Sequence, residues 1–428
     1  MLGIIVFLLI AFLLSANWRR IHLRLVLTGL GLQFALALLV LGVPALGFEG
    51  PLRFLFVIGN DLIINLLAFT DEGSRFLFGE LTLTQKYGFI FAFQVLPTII
   101  FISSLMAIFY HLGLMQKVVR ALALVMQKAM GTSGAESLAA AANVFVGQTE
   151  APLVIRPFLE KLTRSELFCV MVGGMATIAG GVMAAYVGIL KSSIPDIAGH
   201  LLTASVLSAP AALVMAKIML PEIDEPETMG SVPKEYDSER PDINVIEAAA
   251  RGASEGLKLA LNVAAMLLAF TALIAMADGS LKYVGGLIQF HEWGHPLVPE
   301  LVLKNNDPEL TFSLIMGWVF APLAWFMGVP WNEAAIAGTL LGQKIMINEF
   351  VAYFNMSQML SELSDRTIII LSYALCGFAN FASIGIQIGG IGSLAPSRRS
   401  ELALLGVKAI IGGSLAAFMT ASIAGILI

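Results

Sequence analysis

The sequence predicts an all-α polytopic membrane protein, with about eight transmembrane helices and two re-entrant helical hairpins in an inverted repeat, with broken helices at the midplane. Three observations support this class. First, 58% of the 428 residues are hydrophobic and only 13% are charged, whereas soluble domains are nearer half apolar and about a quarter charged. Second, the mean hydropathy is +0.85, more than a water-soluble globule can bury. Third, the order of the apolar segments repeats along the chain.

Charge and cysteine content exclude two further classes of protein. The formal net charge of −5 and the pI of about 5.6 argue against a nucleic-acid-binding protein, since such proteins carry basic surfaces. The two cysteines, Cys169 and Cys376, both lie inside apolar runs. A disulfide framework is therefore excluded, and buried free thiols are expected.

The transmembrane segments follow from length and composition. A spanning helix needs roughly 20 mostly apolar residues, and no alternating pattern typical of a barrel is present. A signal peptide is an alternative for the first segment, but that segment lacks a basic start and is followed at once by Asn17-Trp18-Arg19-Arg20. The candidate spans are 1–16, 25–47, 87–110, 168–190, 199–219, 258–279, 367–391 and 403–428.

Orientation follows from Lys and Arg in the short loops, since cytoplasmic loops carry an excess of both. Placing the basic loops inside predicts that the N- and C-termini lie outside, together with an acidic and aromatic loop at about 48–86. The acidic, proline-containing stretch from Pro221 to Arg251 is then a cytoplasmic linker, with an interaction tail as the alternative. The basic residues used are Arg19, Arg20, Arg24, Lys117, Arg120, Lys128, Arg398 and Arg399.

Two apolar stretches, at about 133–162 and 332–358, carry polar residues in their middles. The first contains Gly147-Gln-Thr-Glu150 and the second contains Asn348-Glu349. Each apolar arm is too short to cross a bilayer, so each stretch predicts a pair of short helices that enters the membrane and returns. Such hairpins are tolerated where they line a cavity.

The order of hairpin, span and span occurs twice, at about 133–219 and at 332–428. An odd number of spans separates the two units, so they have inverted orientations, which is an architecture of secondary transporters. The predicted regions are 1–86 (two spans and an outer loop), 87–132 (scaffold span and cytoplasmic interfacial helix), 133–219 (first repeat unit), 220–257 (cytoplasmic acidic linker), 258–331 (scaffold span and outer interfacial helix) and 332–428 (second repeat unit).

The span after each hairpin contains glycine and small polar residues at its middle. Thr177-Ile-Ala-Gly180 lies in one and Gly377 to Gly385 in the other, which predicts unwound backbone with free carbonyl groups. Close helix packing is the alternative reading of such residues, and it is the one adopted for Gly173, Gly174 and Gly188. For Phe378 to Ser383 a binding site is predicted, because Asn380 is costly in lipid without a partner.

Polar side chains at these places suggest what is recognised. Glu150 and Glu349 lie at the hairpin tips, where a buried carboxylate is costly unless it has a function; capping of the following helix is a compatible structural role. The other groups are neutral donors and acceptors and flat aromatic faces, which suit a neutral, planar, hydroxylated solute such as a sugar joined to an aromatic base. These groups are Gln148, Thr149, Asn380, Ser383, Phe378 and Phe381.

Three motifs together resemble the concentrative nucleoside transporter family, in a bacterial member, from about residue 90 to the C-terminus. They are Gly147-Gln-Thr-Glu-Ala-Pro152, Asn348-Glu-Phe-Val-Ala-Tyr353, and Gly377-Phe-Ala-Asn-Phe381 followed by Ser383-Ile-Gly385. The resemblance implies a homotrimer, with scaffold spans and a mobile transport domain. It implies elevator-like nucleoside uptake coupled to Na⁺ or H⁺, with no organic cofactor and no enzymatic activity. The compact length suggests a location in the cell inner membrane of a bacterium.

The resemblance also implies roles for individual residues. The nucleobase would contact Gln148, Thr149, Val182 and Phe378, with Glu150 reaching it through water. The ribose hydroxyls would bind Glu349, Asn380 and Ser383. Sodium would bind the side chains of Asn143 and Thr177 and the carbonyls of Val146 and Ile178, all oxygen ligands as a hard cation requires. Ala382 departs from the serine of many relatives, which leaves purine or pyrimidine preference open.

Three alternatives stay open on the sequence. Proton coupling would use Glu150 or Glu349 as a carboxyl whose pKa is raised by burial, whereas the intact pair Asn143 and Thr177 favours sodium. The fold would also serve a carrier of another neutral polar solute or a channel. Finally, His291-Glu-Trp-Gly-His295 matches the zinc-protease pattern. Gly294 and the following proline disfavour the helix that this pattern needs, so surface histidines beside an outer interfacial helix are expected.

Overall fold

The computed structural model describes residues 1–88, 90–233, 242–295 and 308–428. The predicted all-helical class is confirmed: within these ranges the chain forms helices and no strand, apart from one isolated bridge between Val43 and Phe48. The helices before the first repeat are α1 (Leu2–Leu13), α2 (Leu23–Leu41), α3 (Arg53–Phe78), α4 (Thr84–Tyr87), α5 (Phe91–Gln94) and α6 (Leu96–His111).

The two repeat units contain the same order of elements. Each begins earlier than the predicted units at 133–219 and 332–428, because a helix precedes its hairpin; a broken helix and a long helix follow the hairpin. The first unit comprises α7 (Leu114–Met130), α8 (Gly134–Ala142), a 3-10 helix (Ala151–Phe158), α9 (Arg164–Ala176), α10 (Gly180–Leu190) and α11 (Ile197–Met219). Between the units lie α12 (Val245–Leu287) and α13 (Phe290–Trp293). The second unit comprises α14 (Phe312–Met327), α15 (Trp331–Met346), α16 (Glu349–Gln358), α17 (Asp365–Ala374), α18 (Phe381–Leu394) and α19 (Arg399–Leu427).

Seven helical segments of the described chain are long and apolar enough to cross a membrane, or eight if α14 and α15, which meet at a bend of 116°, count as one. The first predicted span, α1, has 12 residues, fewer than the roughly 20 that a perpendicular crossing needs. The seven segments are Leu23–Leu41, Arg53–Thr82, Phe91–His111, Arg164–Leu190, Ile197–Met219, Val245–Leu287 and Pro396–Leu427.

The predicted outer loop at 48–86 is wrong, because α3 occupies 26 of its residues. The acidic side chains that suggested a loop, such as Asp61 and Asp71, lie on the exposed face of this helix. Its buried residues recur at helical spacing and form one stripe, as in an amphipathic helix. The stripe comprises Asn60, Ile63, Leu67, Thr70 and Ser74. It packs on α11, where the Gly199 N–H donates to Asn60 Oδ1 at 3.2 Å.

The predicted linker is shorter than expected at its C-terminal end, because α12 begins at Val245 rather than near residue 258. Asn244 caps this helix, since its Oδ1 accepts from the Glu247 N–H at 2.9 Å. Arg251 then pairs with Asp242 at 2.8 Å and with Glu255 at 2.9 Å. These local interactions extend the helix beyond its apolar part. Residues 234–241 of the predicted linker lie outside the described residues.

Both hairpins are present at the predicted positions. The first begins with a capping box, in which Ser133 and Glu136 satisfy each other's backbone N–H groups, and every residue of α8 is buried. Its second arm is the 3-10 helix, which is kinked at Ile155 and contains Pro157. The second hairpin turns between α15 and α16, where the Asn348 side chain accepts from the Val351 N–H at 2.9 Å.

The buried centre of the molecule is formed by four helices. α11 and α19 pack against each other, and α9 and α17 each contact both of them. The apolar segment of α11 is 89% buried, whereas that of α12 is only 11% buried. The repeat helices therefore form a core, and α2, α3, α6 and α12 leave most of their apolar surface facing outward.

Candidate transport site

The turn of the first hairpin meets the second half of the broken helix in the other repeat. Gln148 Nε2 donates to Ser383 Oγ at 3.0 Å, and Gln387 Nε2 donates to Gln148 Oε1 at 3.0 Å. Thr149 also lies against α18, because a Cβ at Gly390 would be 2.6 Å from its Cγ2. Residues far apart in sequence are thus joined, as the sequence predicted for Gln148, Thr149 and Ser383.

A second junction surrounds the carboxylate of Glu349. Tyr186 of α10 donates its hydroxyl to Oε1 at 2.7 Å, and Asn380 donates from Nδ2 to Oε2 at 3.0 Å. Glu349 is the first residue of α16, where the helix dipole favours a negative charge. A carboxylate accepts about four hydrogen bonds, so acceptor capacity remains on both oxygens. Glu349 and Asn380 therefore lie together, as predicted for a pair that binds adjacent hydroxyl groups.

Aromatic rings enclose Glu349 on the side of Tyr186. The Tyr186 ring lies 4.6 Å from that of Tyr353 and 5.1 Å from that of Phe350. Phe91 contacts Phe350 from outside the repeats, with ring centroids 5.0 Å apart. A hydrogen bond to a charge is stronger in such surroundings than in water. The aromatic cluster thus strengthens the contacts that Glu349 makes.

The two helix breaks touch each other beside the first hairpin. The Gly180 N–H donates to the Phe145 carbonyl at 2.9 Å, which joins the hairpin turn to the start of α10. The Phe378 N–H donates to the Thr177 carbonyl at 3.2 Å, which joins the two breaks. Gly377 lies at φ +141°, and a Cβ there would be 2.8 Å from the Met175 carbonyl oxygen. Only glycine fits this approach without strain.

Asn143 ends α8 in the same region and is 1% exposed. Neither its Nδ2 nor its Oδ1 has a hydrogen-bond partner in the described chain, which is costly for a buried amide. Thr177 donates its hydroxyl hydrogen to the Gly173 carbonyl at 2.9 Å, so its oxygen is left as an acceptor. The carbonyls of Val146 and Ile178 receive no hydrogen bond from the described residues. These free oxygens have the chemistry of a hard cation site.

The remaining predicted residues are less enclosed or only line the site. Glu150 is exposed and makes no capping hydrogen bond to the 3-10 helix that follows it. Its carboxylate instead lies over Gly147, where a Cβ would be 2.3 Å from Oε2. Val182 is 4% exposed, Phe378 is half-buried and Phe381 is 49% exposed. An exposed Glu150 suits a contact through water better than a direct one.

Three polar residues of this region were missed from the sequence. Tyr186 lies one helical turn after Val182, and Gln387 lies one turn after Ser383, so each shares a helix face with a predicted residue. Lys344 is fully buried in the second hairpin; its Nζ donates to the Ala374 carbonyl at 2.7 Å. Polar residues spaced four positions from a predicted ligand, and a lone lysine in an apolar arm, are the signals that could have revealed them.

The zinc-protease pattern does not form a site in the described residues. Helix α13 ends at Trp293, so His291 and His295 do not share a continuous helix. His291 and Glu292 are more than half exposed. No group of three or more metal-binding side chains occurs in the described ranges. The predicted outer interfacial helix is also only one turn long, from Phe290 to Trp293.

Two hairpins and two broken helices around one buried polar site define a membrane carrier. Comparison with family models identifies which carrier. Residues 200–425 match the C-terminal part of the Na⁺ dependent nucleoside transporters, residues 2–81 match their N-terminal part, and residues 92–193 match a gate described as nucleoside recognition. The chain belongs to the concentrative nucleoside transporter family, as its motifs suggested. It is an integral membrane transport protein and not an enzyme.

Individual relatives agree with this assignment. The chain is 46% identical to an uncharacterized transporter of Haemophilus influenzae, over 100% of this chain and 97% of that protein. It is 40% identical to rat sodium/nucleoside cotransporter 1, over 99% of this chain but only 63% of that longer protein. Among solved structures it resembles CNTnw in an inward-facing substrate-bound state, with a TM-score of 0.87, 44% identity, and coverage of 100% and 96% of the two chains. Outward-facing and intermediate states of CNTnw variants are also similar.

Proposed function

We propose that this protein takes up nucleosides across the cell inner membrane by sodium symport, with an elevator-like movement of the repeat core. The observation that carries the proposal is the single polar site to which both hairpins and both helix breaks contribute. Gln148 of the first hairpin bonds to Ser383, and Glu349 of the second hairpin bonds to Asn380. A solute bound between these pairs would contact both halves of the inverted repeat.

The two junctions match the two parts of a nucleoside. Glu349, Asn380 and Ser383 supply a carboxylate, an amide and a hydroxyl, which together can bind the neighbouring hydroxyls of ribose. Gln148 and Thr149 supply neutral polar groups for the base, with Val182 and Phe378 as apolar surfaces beside it. Glu150 lies at the exposed edge, where a water molecule can mediate its contact with the base. The absence of a basic group among these residues suits a neutral solute rather than a nucleotide.

Sodium would bind at the first helix break. The Asn143 and Thr177 side chains, with the carbonyls of Val146 and Ile178, would replace its hydration shell with oxygen ligands. The bound ion would tie the hairpin turn to the break, because Val146 and Ile178 lie on either side of the hydrogen bond between Phe145 and Gly180. Sodium would thereby order Gln148, two residues after Val146, and couple its own binding to that of nucleoside.

The elevator-like movement and a homotrimeric assembly fit the distribution of burial. The repeat core is largely enclosed, whereas α12 is 11% buried along its apolar segment. Lipid or neighbouring protomers would cover that surface, and the core would move against it as one body. Related structures in inward-facing, intermediate and outward-facing states suit a carrier that exposes one site alternately to each side.

The proposal is tested by uptake of radiolabelled uridine into proteoliposomes, with an inward sodium gradient or with potassium in its place. Sodium-driven accumulation is expected. Stimulation by an inward proton gradient alone would replace sodium with protons, and no uptake of any nucleoside would refute the substrate class. Asn143→Ala is expected to lower the apparent sodium affinity at least tenfold, because it removes a ligand. Asn262→Ala, at an exposed position on α12, is the matched control and should leave uptake unchanged.

A further inference from the structure

Gln387 is a buried glutamine that no role described above requires. It is 0% exposed and lies one turn after Ser383 in α18. Its Nε2 donates two hydrogen bonds, one to the Met171 carbonyl at 2.9 Å and one to Gln148 Oε1 at 3.0 Å. It therefore connects the backbone of α9 with the side chain of the predicted base-binding glutamine.

The backbone carbonyl fixes which way round these amides lie. A carbonyl oxygen can only accept, so the group of Gln387 that faces Met171 must be its NH₂. The second hydrogen of that NH₂ then points at Gln148, and the atom of Gln148 that receives it must be the oxygen. Gln387 Oε1 has no partner in the described chain. The orientation that satisfies both acceptors therefore leaves the oxygen of Gln387 without a hydrogen bond.

The orientation of Gln387 also sets the direction of the hydrogen bonds in the transport site. With its oxygen committed to Gln387, Gln148 turns its Nε2 toward Ser383, to which it donates at 3.0 Å. One N–H of that amide is used by Ser383, and the other makes no hydrogen bond to the described residues, so it can donate to a ligand. Gly174 makes room for this arrangement, because a Cβ there would lie 2.8 Å from Gln148 Cβ and 3.0 Å from Gln387 Nε2. Gly174 thus serves the site rather than only helix packing.

We infer that Gln387 is a positioning residue that orients the Gln148 amide as a hydrogen-bond donor, so that the protein recognises an acceptor on the nucleobase, a carbonyl oxygen or a ring nitrogen. The inference rests on the proposed function, since it concerns how the base is bound. Without Gln387 the Gln148 amide would rotate freely. It would lose both its fixed direction and its preference for an acceptor.

The test measures dissociation constants in detergent at saturating sodium, by displacement of radiolabelled uridine. Two ligands are compared: uridine, and a phenyl C-riboside that has the ribose but no polar atom on its ring. The variants are Gln387→Met, Gln148→Met, the double variant, and the control Gln33→Met. Gln33 is also 0% exposed and also donates to a backbone carbonyl, that of Gly29 at 3.5 Å, but it lies in α2.

Gln387→Met is expected to weaken uridine about tenfold, as loss of one oriented hydrogen bond does, while the affinity for the phenyl riboside changes less than twofold. Once Gln148 is methionine, Gln387→Met should add less than twofold for uridine. Gln33→Met should change neither affinity. Equal weakening of both ligands, an additive loss in the double variant, or unchanged uridine affinity would each overturn the inference. No uridine binding by the unchanged protein would instead refute the proposed function.

The donor assignment has its own test. Gln148→Glu keeps an oxygen facing Gln387 but replaces the free N–H with an acceptor. Uridine should then bind at least as weakly as to Gln148→Met. Uridine binding as tight as that of the unchanged protein would show that the base receives no donor from residue 148.

Discussion

At the scale of single residues, the central feature is a buried carboxylate that receives two hydrogen bonds and can still accept more. Glu349 is 5% exposed and receives hydrogen bonds from Tyr186 and Asn380. A buried charge with spare acceptor sites is unfavourable until a donor arrives. Two adjacent sugar hydroxyls would be such donors, which is the energetic basis of the proposed contact between Glu349 and ribose.

Glu349→Gln is therefore expected to reduce nucleoside affinity strongly. The neutral amide offers one acceptor oxygen instead of two, and hydrogen bonds to a charged group are worth about 1.5–3 kcal/mol, which corresponds to roughly 10- to 150-fold in the dissociation constant. Binding of uridine by the purified variant measures this loss, and gel filtration checks that its assembly is retained. Glu292→Gln, at an exposed position on α13, is the control. Unchanged uptake kinetics in Glu349→Gln would contradict the ribose assignment.

The sequence alone identified those site residues that are polar within otherwise apolar segments. Gln148, Glu349, Asn380 and Ser383 are polar at places where lipid disfavours polarity, and they meet as predicted. It did not find Tyr186, because a tyrosine in an apolar helix is ordinary and only its contact with Glu349 gives it a role. The orientation of an amide, as at Gln387, depends on partners from other helices and cannot be read from one segment.

At the scale of elements, the helix breaks are held open by backbone contacts between the repeats. Gly377 is the tightest of these points, at φ +141° with the Met175 carbonyl close by. The breaks themselves were predicted from glycine and small polar residues. The same reasoning failed at 48–86, where it predicted a loop instead of α3. This helix carries charges on its exposed face, and its buried stripe is partly polar.

Gly377→Ala should destabilise the protein by about 1–3 kcal/mol, since a side chain there is both strained and crowded. Thermal unfolding in detergent, followed by fluorescence or by retention of monodisperse protein, measures the effect. Gly385→Ala is the matched control in α18, where a Cβ would meet nothing within 4 Å. Replacement of a helical glycine by alanine raises the free energy of unfolding by about 0.5–1 kcal/mol. Equal transition temperatures for the two variants would contradict the close approach at residue 377.

Lys344, in the second hairpin, makes a further contact at the helix break of the second repeat. Its ammonium group bonds to the Ala374 carbonyl, the last residue of α17, and lies 5.8 Å from the centroid of the Phe418 ring. A positive charge at the C-terminal end of a helix is favourable. Lys344 therefore stabilises the break between α17 and α18.

Lys344→Met should lower stability by about 1.5–3 kcal/mol, the usual contribution of a hydrogen bond to a charged group, because the buried Ala374 carbonyl loses its donor. The transition temperature of the purified variant measures this loss. Lys408→Met, at an exposed position in α19, is the control and should change stability by less than about 0.5 kcal/mol. A variant as stable as the unchanged protein would remove the role assigned to this lysine.

At the scale of the whole molecule, the account depends on two repeat units whose hairpins enter from opposite sides and share one site. The sequence predicted the units because the order of elements is visible in the pattern of apolar and polar residues. It could not predict that α9 packs on α19 and α17 on α11, since these two contacts join helices of different repeat units. The sequence pattern also missed the start of α12, which polar contacts of Asn244 and Arg251 stabilise, and it missed α3, whose exposed face is charged.

A thiol placed at residue 150 can report whether the shared site opens to both sides of a membrane. Glu150→Cys is made in a background without Cys169 and Cys376, and an impermeant thiol reagent is applied to either face of proteoliposomes. The exposed linker position Asp224→Cys reports one face only. The account predicts that residue 150 reacts from both faces and that sodium with nucleoside protects it. Reaction from a single face under every condition would contradict alternating access to one shared site.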